Sequence, residues 1–136
     1  MSKLLIVDDE EEIREFLSEF FTERRYSVLT ASTKDEALLL LEREQPAVAL
    51  LDVRMKGQRD GVEILQWIKD KGLNVKTIMV TGVETSEAVE EAKSLGADDY
   101  ITKPLSLEYL EQSVTQRVAA LAGGAPKEQD PGRAPS

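Results

Sequence analysis

Residues 3–9, KLLIVDD, place a short apolar run directly before two aspartates. Three later stretches repeat the arrangement, with polar residues again at the end of the run: AVALLD at 47–52, TIMVTG at 77–82 and DYITKP at 99–104. Segments with helical spacing separate these runs, which predicts parallel strands of one α/β sheet. Because the carboxyl ends of such strands share one edge, where ligands bind, we expect the polar endings to meet there.

Five helices and a fifth strand, at residues 26–30, complete the predicted fold. Right-handed crossovers should place the helices on both faces, giving a doubly wound five-stranded parallel sheet of the flavodoxin-like class. Apolar residues recur at helical spacing in each helix. They are Ile13, Phe16, Leu17, Phe20 and Phe21; Ala37, Leu38 and Leu41; Ile64, Leu65 and Ile68; Ala88, Val89, Ala92 and Leu95; and Leu107, Leu110, Val114, Val118 and Leu121.

Local signals mark several helix ends. Ser32 or Thr33 is placed to cap the second helix, with Glu36 spaced for a capping box. Ser106 is placed to cap the fifth helix. We expect the third helix to end near Gly72.

Composition excludes several classes of function. The 136 residues fit one domain, and the net charge of −9 argues against direct binding to nucleic acid or an anionic membrane. The absence of cysteine and histidine excludes disulfides, thiol catalysis, histidine acid–base chemistry and a phosphohistidine on this chain. With no signal peptide or membrane span predicted, we expect a cytoplasmic domain over residues 1–122 and a disordered tail or linker over 123–136.

Residues 8–12, DDEEE, put five acids directly after the first strand. Many folds of this class have a glycine-rich phosphate loop there, whereas this turn attracts a cation. Mg²⁺ prefers oxygen ligands, often one or two carboxylates plus a phosphate, which Asp9 and Asp52 would supply. For residues 10–12 the helix dipole alone explains the acids. Crowding Asp8 beside the other two aspartates costs energy unless a cation neutralises them.

Asp52 follows an unbroken apolar run, so its carboxylate either caps a loop or reacts. As a nucleophile it would accept a phosphoryl group as an acyl phosphate. Lys103 would hold a phosphoryl oxygen, and Thr81 would donate a hydrogen bond to another. The alternatives are a surface lysine and a turn hydroxyl. The bond before Pro104 is either a cis peptide that aims the lysine at the crevice or an ordinary helix entry.

Five motifs together resemble the receiver domains of bacterial response regulators, the CheY-like fold. The motifs are LIVDDEEEIR, ALLDVRM, DGVEIL, IMVTG and AKSLGADDYITKP, within about residues 3–121. The resemblance implies that Asp52 is the phosphoacceptor and that Asp9 binds Mg²⁺ directly, with Asp8 acting through water. It also implies the backbone carbonyl of Arg54 as a further metal ligand.

The same resemblance implies a switch. Lys103 would contact the phosphoryl group, Thr81 would be the switch hydroxyl, and Tyr100 the aromatic that turns inward as the threonine moves. The implied partners are a sensor histidine kinase as phosphodonor and a downstream protein or an output domain. A homodimer through the face of the fourth helix, fifth strand and fifth helix is a further arrangement that the family uses.

Two departures from the family pattern affect the loop after the phosphoacceptor. Lys56 follows Met55 where the family usually has proline, and the loop over residues 52–61 looks one residue longer than usual. Because the change follows Arg54, we expect metal binding to survive it.

Two other functions fit parts of the pattern. Mg²⁺-dependent phosphatases with an aspartyl nucleophile usually carry a second acid two residues later, where this chain has Arg54. A binding module that keeps the fold without phosphorylation is the other alternative. Because the five site positions are all present, we expect a phosphorelay switch and not an enzyme.

Overall fold

The five predicted strands pair side by side into one parallel sheet. The computed structural model describes residues 2–53, 55, 59–82 and 86–123, apart from the side chains of residues 86–89. The strands are β1 (Lys3–Val7), β2 (Ser27–Ala31), β3 (Val48–Asp52), β4 (Lys76–Thr81) and β5 (Asp99–Thr102), in the order β2-β1-β3-β4-β5. The predicted doubly wound sheet is confirmed.

The burial of each strand follows its place in the sheet. Every residue of β3 is buried, and in β1 and β4 only the first residue is exposed. The edge strands β2 and β5 are mostly half-exposed. Inner strands of a parallel sheet are covered on both faces, so their sequences are continuously apolar. This explains why the runs before Asp8 and Asp52 contain no polar break.

Five helical segments cover the two faces of the sheet. They are α1 (Glu11–Thr22), α2 (Lys34–Glu44), α3 (Asp60–Lys71), α4 (Ser86–Ser94) and α5 (residues 107–121). Buried residues of α2, α3 and α4 form one core cluster with one face of the sheet. Buried residues of α1 and α5 form a second cluster on the other face.

The predicted caps are present at the helix ends. Thr33 Oγ1 accepts a hydrogen bond from Glu36 N at 3.2 Å, and Glu36 Oε1 accepts from Ser32 N at 2.7 Å. Ser106 Oγ accepts from Tyr109 N at 3.1 Å. Gly72 follows α3 with φ of +67°, a left-handed conformation that glycine adopts without a steric penalty.

Two predicted core residues face solvent. Phe16 is 39% exposed because it lies about 100° around α1 from Leu17, outside the stripe that reaches the sheet. Leu107 is 52% exposed because the first turn of α5 buries no residue. The buried residues of α5 are Leu110, Val114 and Val118, at a four-residue spacing.

A π-helical turn over Leu110–Val114 interrupts α5. Residues four apart drift around an α-helix, which has 3.6 residues per turn. The wider π-helical turn reduces this drift and keeps Leu110, Val114 and Val118 on one face. Several predicted features lie outside the described residues: Arg54, the altered loop at Lys56, the side chains of Ala88 and Val89, and the tail after residue 123. Among the described helices, none combines the length and hydropathy needed to cross a bilayer.

Candidate functional site

Strand register brings the polar strand endings to one edge of the sheet. Val7 pairs with Leu51, so Asp8 and Asp52 follow on adjacent strands. Asp52 in turn pairs with Val80 of β4, one residue before Thr81.

The carboxylates of Asp8, Asp9 and Asp52 form an acidic cluster at this edge. One carboxylate oxygen from each lies within 4.8 Å of the others. Asp8 and Asp52 are 3% and 4% exposed, and Asp9 is half-buried. Three like charges this close repel one another unless cations compensate them. An all-oxygen donor set is also the set that a hard divalent cation prefers.

Lys103 supplies a positive charge to the acidic cluster. Its Nζ lies 3.2 Å from Asp52 Oδ2 and 3.4 Å from Asp8 Oδ2. Burial alone would lower the pKa of this ammonium group, but attraction to Asp52 and then to Asp8 outweighs it and raises the pKa. The Lys103–Pro104 peptide is cis, the first of the two alternatives that the sequence left open.

Thr81 lies beside the cluster at the end of β4. Its side chain is buried, and Oγ1 donates to the carbonyl oxygen of Ile101 at 3.4 Å. Its own carbonyl oxygen accepts from Lys103 N at 2.8 Å. The threonine therefore contacts β5 through its side chain and the lysine-bearing turn through its backbone.

Tyr100 lies outside the acidic cluster, on the sheet face covered by α2, α3 and α4. Its half-buried ring packs against the core cluster of that face, and Lys93 Nζ lies 6.0 Å from the ring centroid. Burial raises the pKa of the phenol, and nearby acids, led by Glu90, raise it further. The remaining predicted site residue, Arg54, lies outside the described residues.

Gly61 is a residue of this site whose role the sequence reasoning missed. A Cβ atom added there would lie 2.2 Å from the backbone carbonyl oxygen of Asp52. Its N–H donates to the Val53 carbonyl oxygen at 3.3 Å. The available signal was a glycine in the first turn of a helix, which is costly unless the backbone must approach another group closely.

The family model for the response regulator receiver domain matches residues 4–115. The chain belongs to this family. It is thus the receiver domain of a two-component response regulator. The match includes every strand ending that builds the acidic cluster and Lys103.

Relatives of this receiver domain differ in length. It is 34% identical to sporulation initiation phosphotransferase F of Bacillus subtilis (strain 168) over 112 residues, which cover 82% of this chain and 90% of that protein. It is 37% identical over 119 residues to the alkaline phosphatase synthesis transcriptional regulatory protein PhoP of the same organism, covering 88% of this chain and 48% of that protein. The receiver domain therefore spans about half the length of several relatives.

Solved receiver structures share the fold. The receiver domain of Francisella response regulator 1452 gives a TM-score of 0.78 at 28% identity, covering 90% of this chain and 98% of that one. NtrX from Brucella abortus also gives 0.78 at 28% identity, covering 90% of this chain but 27% of that one.

Proposed function

We propose that this receiver domain accepts a phosphoryl group on Asp52 from the phosphohistidine of a sensor histidine kinase. The observation that carries the proposal is the convergence of three carboxylates and one ammonium group at the edge of the sheet. Asp52 lies at the end of β3, within reach of both other acids and in contact with Lys103. Because these 136 residues contain no histidine, the phosphohistidine would be carried outside them, which agrees with a sensor kinase as the donor.

The acidic cluster fits Mg²⁺ in both donor type and charge. Three carboxylates against the Lys103 ammonium leave two negative charges, which a divalent cation balances. Asp9 and Asp52 would hold the ion directly, Asp8 would act through water, and the backbone carbonyl of Arg54 would add a ligand. When bound, the ion would offset charge on the attacking carboxylate and on the phosphoryl oxygens.

The chemical step needs little from the protein beyond positioning and charge. An oxygen of the Asp52 carboxylate forms a bond to phosphorus while the bond from phosphorus to the imidazole nitrogen breaks. The electron pair of the broken bond stays on the imidazole. Lys103 would hold a phosphoryl oxygen, because its ammonium already lies 3.2 Å from Asp52 Oδ2.

Phosphorylation would then be sensed through Thr81. The hydrogen bond from its hydroxyl to the Ile101 carbonyl is long, at 3.4 Å, and a charged phosphoryl oxygen is a stronger acceptor. Movement of Thr81 toward the phosphoryl group would let Tyr100 turn inward. The surface of α4, β5 and α5 would change its affinity for a downstream protein, an output domain or a second copy.

Acetyl phosphate with Mg²⁺ tests the acceptor. Intact-mass measurement should show one added phosphoryl group on the wild type and none on Asp52→Asn. The matched control is Asp35→Asn, which removes an exposed carboxylate from α2 and should be labelled like the wild type. Labelling of Asp52→Asn at the wild-type level would contradict the assignment of the acceptor.

The switch is tested separately with Thr81→Ala. This variant should still take up the phosphoryl group, because the nucleophile and Lys103 are retained. The amide resonances around Tyr100 should change less on phosphorylation than in the wild type. A response at Tyr100 as large as in the wild type would contradict the role of Thr81.

A further inference from the structure

Arg14 reaches from α1 back to the strand end that carries the acidic cluster. Its Nη1 donates to the backbone carbonyl oxygen of Asp8 at 2.8 Å, six residues earlier in the chain. The side chain is half-buried. A hydrogen bond from a guanidinium is about twice as strong as one between neutral groups. This hydrogen bond therefore links α1 to the acidic turn more strongly than a neutral hydrogen bond would.

Asp8 is fixed at two further atoms. Its N–H donates to the Ala31 carbonyl oxygen at 3.1 Å, and its Oδ1 accepts from Glu10 N at 2.8 Å. With these contacts made, Asp8 Oδ2 lies 3.4 Å from Lys103 Nζ. The backbone and side chain of Asp8 are thus held on several sides, and Arg14 holds the carbonyl.

The carbonyl that Arg14 holds belongs to the peptide group joining Asp8 to Asp9. A peptide group is planar, so the position of the Asp8 carbonyl oxygen restricts where the Cα atom of Asp9 can lie. That Cα carries the Asp9 carboxylate, which lies within 4.8 Å of the other two carboxylates of the cluster. Arg14 therefore acts on Asp9 through the backbone.

The negative charge of the acidic turn makes a contact that holds its backbone important. Residues 8–12 are all acidic, and repulsion among them favours a turn in which the carboxylates spread apart. Two basic side chains oppose that spreading from different sides: Lys103 contacts carboxylate oxygens, and Arg14 contacts the backbone.

We propose that Arg14 is a positioning residue of the acidic cluster, which orients the Asp8–Asp9 peptide and so sets the affinity of the site for a divalent cation. This inference rests on the proposed function, since it assumes that the cluster binds Mg²⁺. Arg14 does not itself contact the ion. It acts through the direction of the Asp9 carboxylate.

The positioning role and a simple charge effect predict opposite outcomes. If Arg14 acted only as a nearby positive charge, its removal would make the site more negative and would tighten Mg²⁺ binding. If it positions Asp9, removal loosens the ligand geometry. Loss of such an outer partner typically weakens metal binding about 10- to 100-fold.

Isothermal titration of the metal-free protein with MgCl₂ distinguishes the two. Arg14→Gln should bind Mg²⁺ about 10-fold or more weakly than the wild type. Arg43→Gln, which removes a positive charge from the exposed side of α2, should bind like the wild type. Equal or tighter binding by Arg14→Gln would overturn the proposal.

Two checks separate this proposal from folding and from the proposed function. Thermal unfolding establishes that Arg14→Gln is folded at the titration temperature. If it is not, Arg14→Lys replaces it, and weaker binding than wild type is expected because the shorter side chain leaves the carbonyl unheld; wild-type affinity would overturn the proposal. A wild-type protein that binds no Mg²⁺ would overturn the proposed function along with this role.

Discussion

Gly61 and Asp52 approach so closely that a side chain on the glycine has no room: its Cβ would lie 2.2 Å from the Asp52 carbonyl oxygen. The start of α3 thus packs directly on the backbone of the proposed phosphoacceptor. A rigid backbone atom is the obstacle, so a larger residue must displace either the helix or the strand end.

Gly61→Ala should therefore lower both stability and Mg²⁺ affinity. Overpacking of this kind costs about 1–3 kcal/mol, measured as the free energy of unfolding in urea. The matched control is Gly72→Ala, where an added Cβ would meet no atom of the described residues within 4 Å beyond its chain neighbours, but φ is +67°. That variant should lose about 1 kcal/mol from backbone strain alone and keep wild-type Mg²⁺ affinity. Wild-type stability and affinity in Gly61→Ala would refute the packing argument.

Lys103→Met should make folding depend more strongly on Mg²⁺. Without the ammonium, Asp8 and Asp52 lose a counter-charge, which should cost about 1–3 kcal/mol in the metal-free protein. Saturating Mg²⁺ should raise the Tm of the variant more than that of the wild type. Lys76→Met, at the exposed start of β4, is the control and should respond like the wild type. A smaller Mg²⁺ response in Lys103→Met would count against the lysine as counter-ion.

The pH dependence of stability should report the same lysine. The folded-state pKa of Lys103 is raised, so its stabilising contribution is complete below the ordinary lysine value and is lost as pH rises through the folded value. In metal-free buffer, the unfolding free energy of wild type minus that of Lys103→Met should be constant at neutral pH and shrink above about pH 10.4. A difference that grows with pH would contradict this sign.

Arg59 and Glu91 should show measurable coupling between the start of α3 and α4. The guanidinium donates to both carboxylate oxygens, at 2.6 and 2.7 Å. A surface pair held by two parallel hydrogen bonds should show a coupling energy clearly above zero in a double-mutant cycle. The coupling should fall in 1 M KCl, where charges are screened beyond about 3 Å. The longer pair Lys93–Glu90, at 3.6 Å, is the control and should couple near zero; equal coupling in both pairs would contradict the geometric argument.

The inner strands β1, β3 and β4 were predictable because burial on both faces of the sheet requires a continuous apolar run. The predicted bounds of β1 and β5 match the observed ones, and those of β2, β3 and β4 differ by one residue at each end; β3, for example, includes Asp52. The convergence of Asp8, Asp52 and Lys103 could be expected from the same runs, since parallel strands align their carboxyl ends. Helix ends were predictable where a side chain caps its own helix, as Thr33 and Ser106 do.

Features that depend on distant backbone atoms were not predictable. The role of Gly61 depends on a carbonyl oxygen nine residues earlier, and that of Arg14 on the carbonyl oxygen of Asp8 in the turn before α1. Neither contact leaves a periodic signal. Phe16 and Leu107 were wrongly predicted to lie in the core. Helical spacing shows which side of a helix is apolar, but it does not show how wide the buried stripe is or where along the helix contact with the sheet begins.

The position of β5 at the edge of the sheet affects how a conformational change would spread from the acidic cluster. Among the strands that the structure describes, β5 pairs only with β4, whereas β1 and β3 each pair with a neighbour on both sides. A displacement of β5 disturbs one ladder of hydrogen bonds, whereas a displacement of β1 or β3, which lead into the acidic cluster, disturbs two. Thr81, at the end of β4 and hydrogen-bonded to Ile101 of β5, therefore lies where the strands paired on both sides adjoin the strand paired on one side.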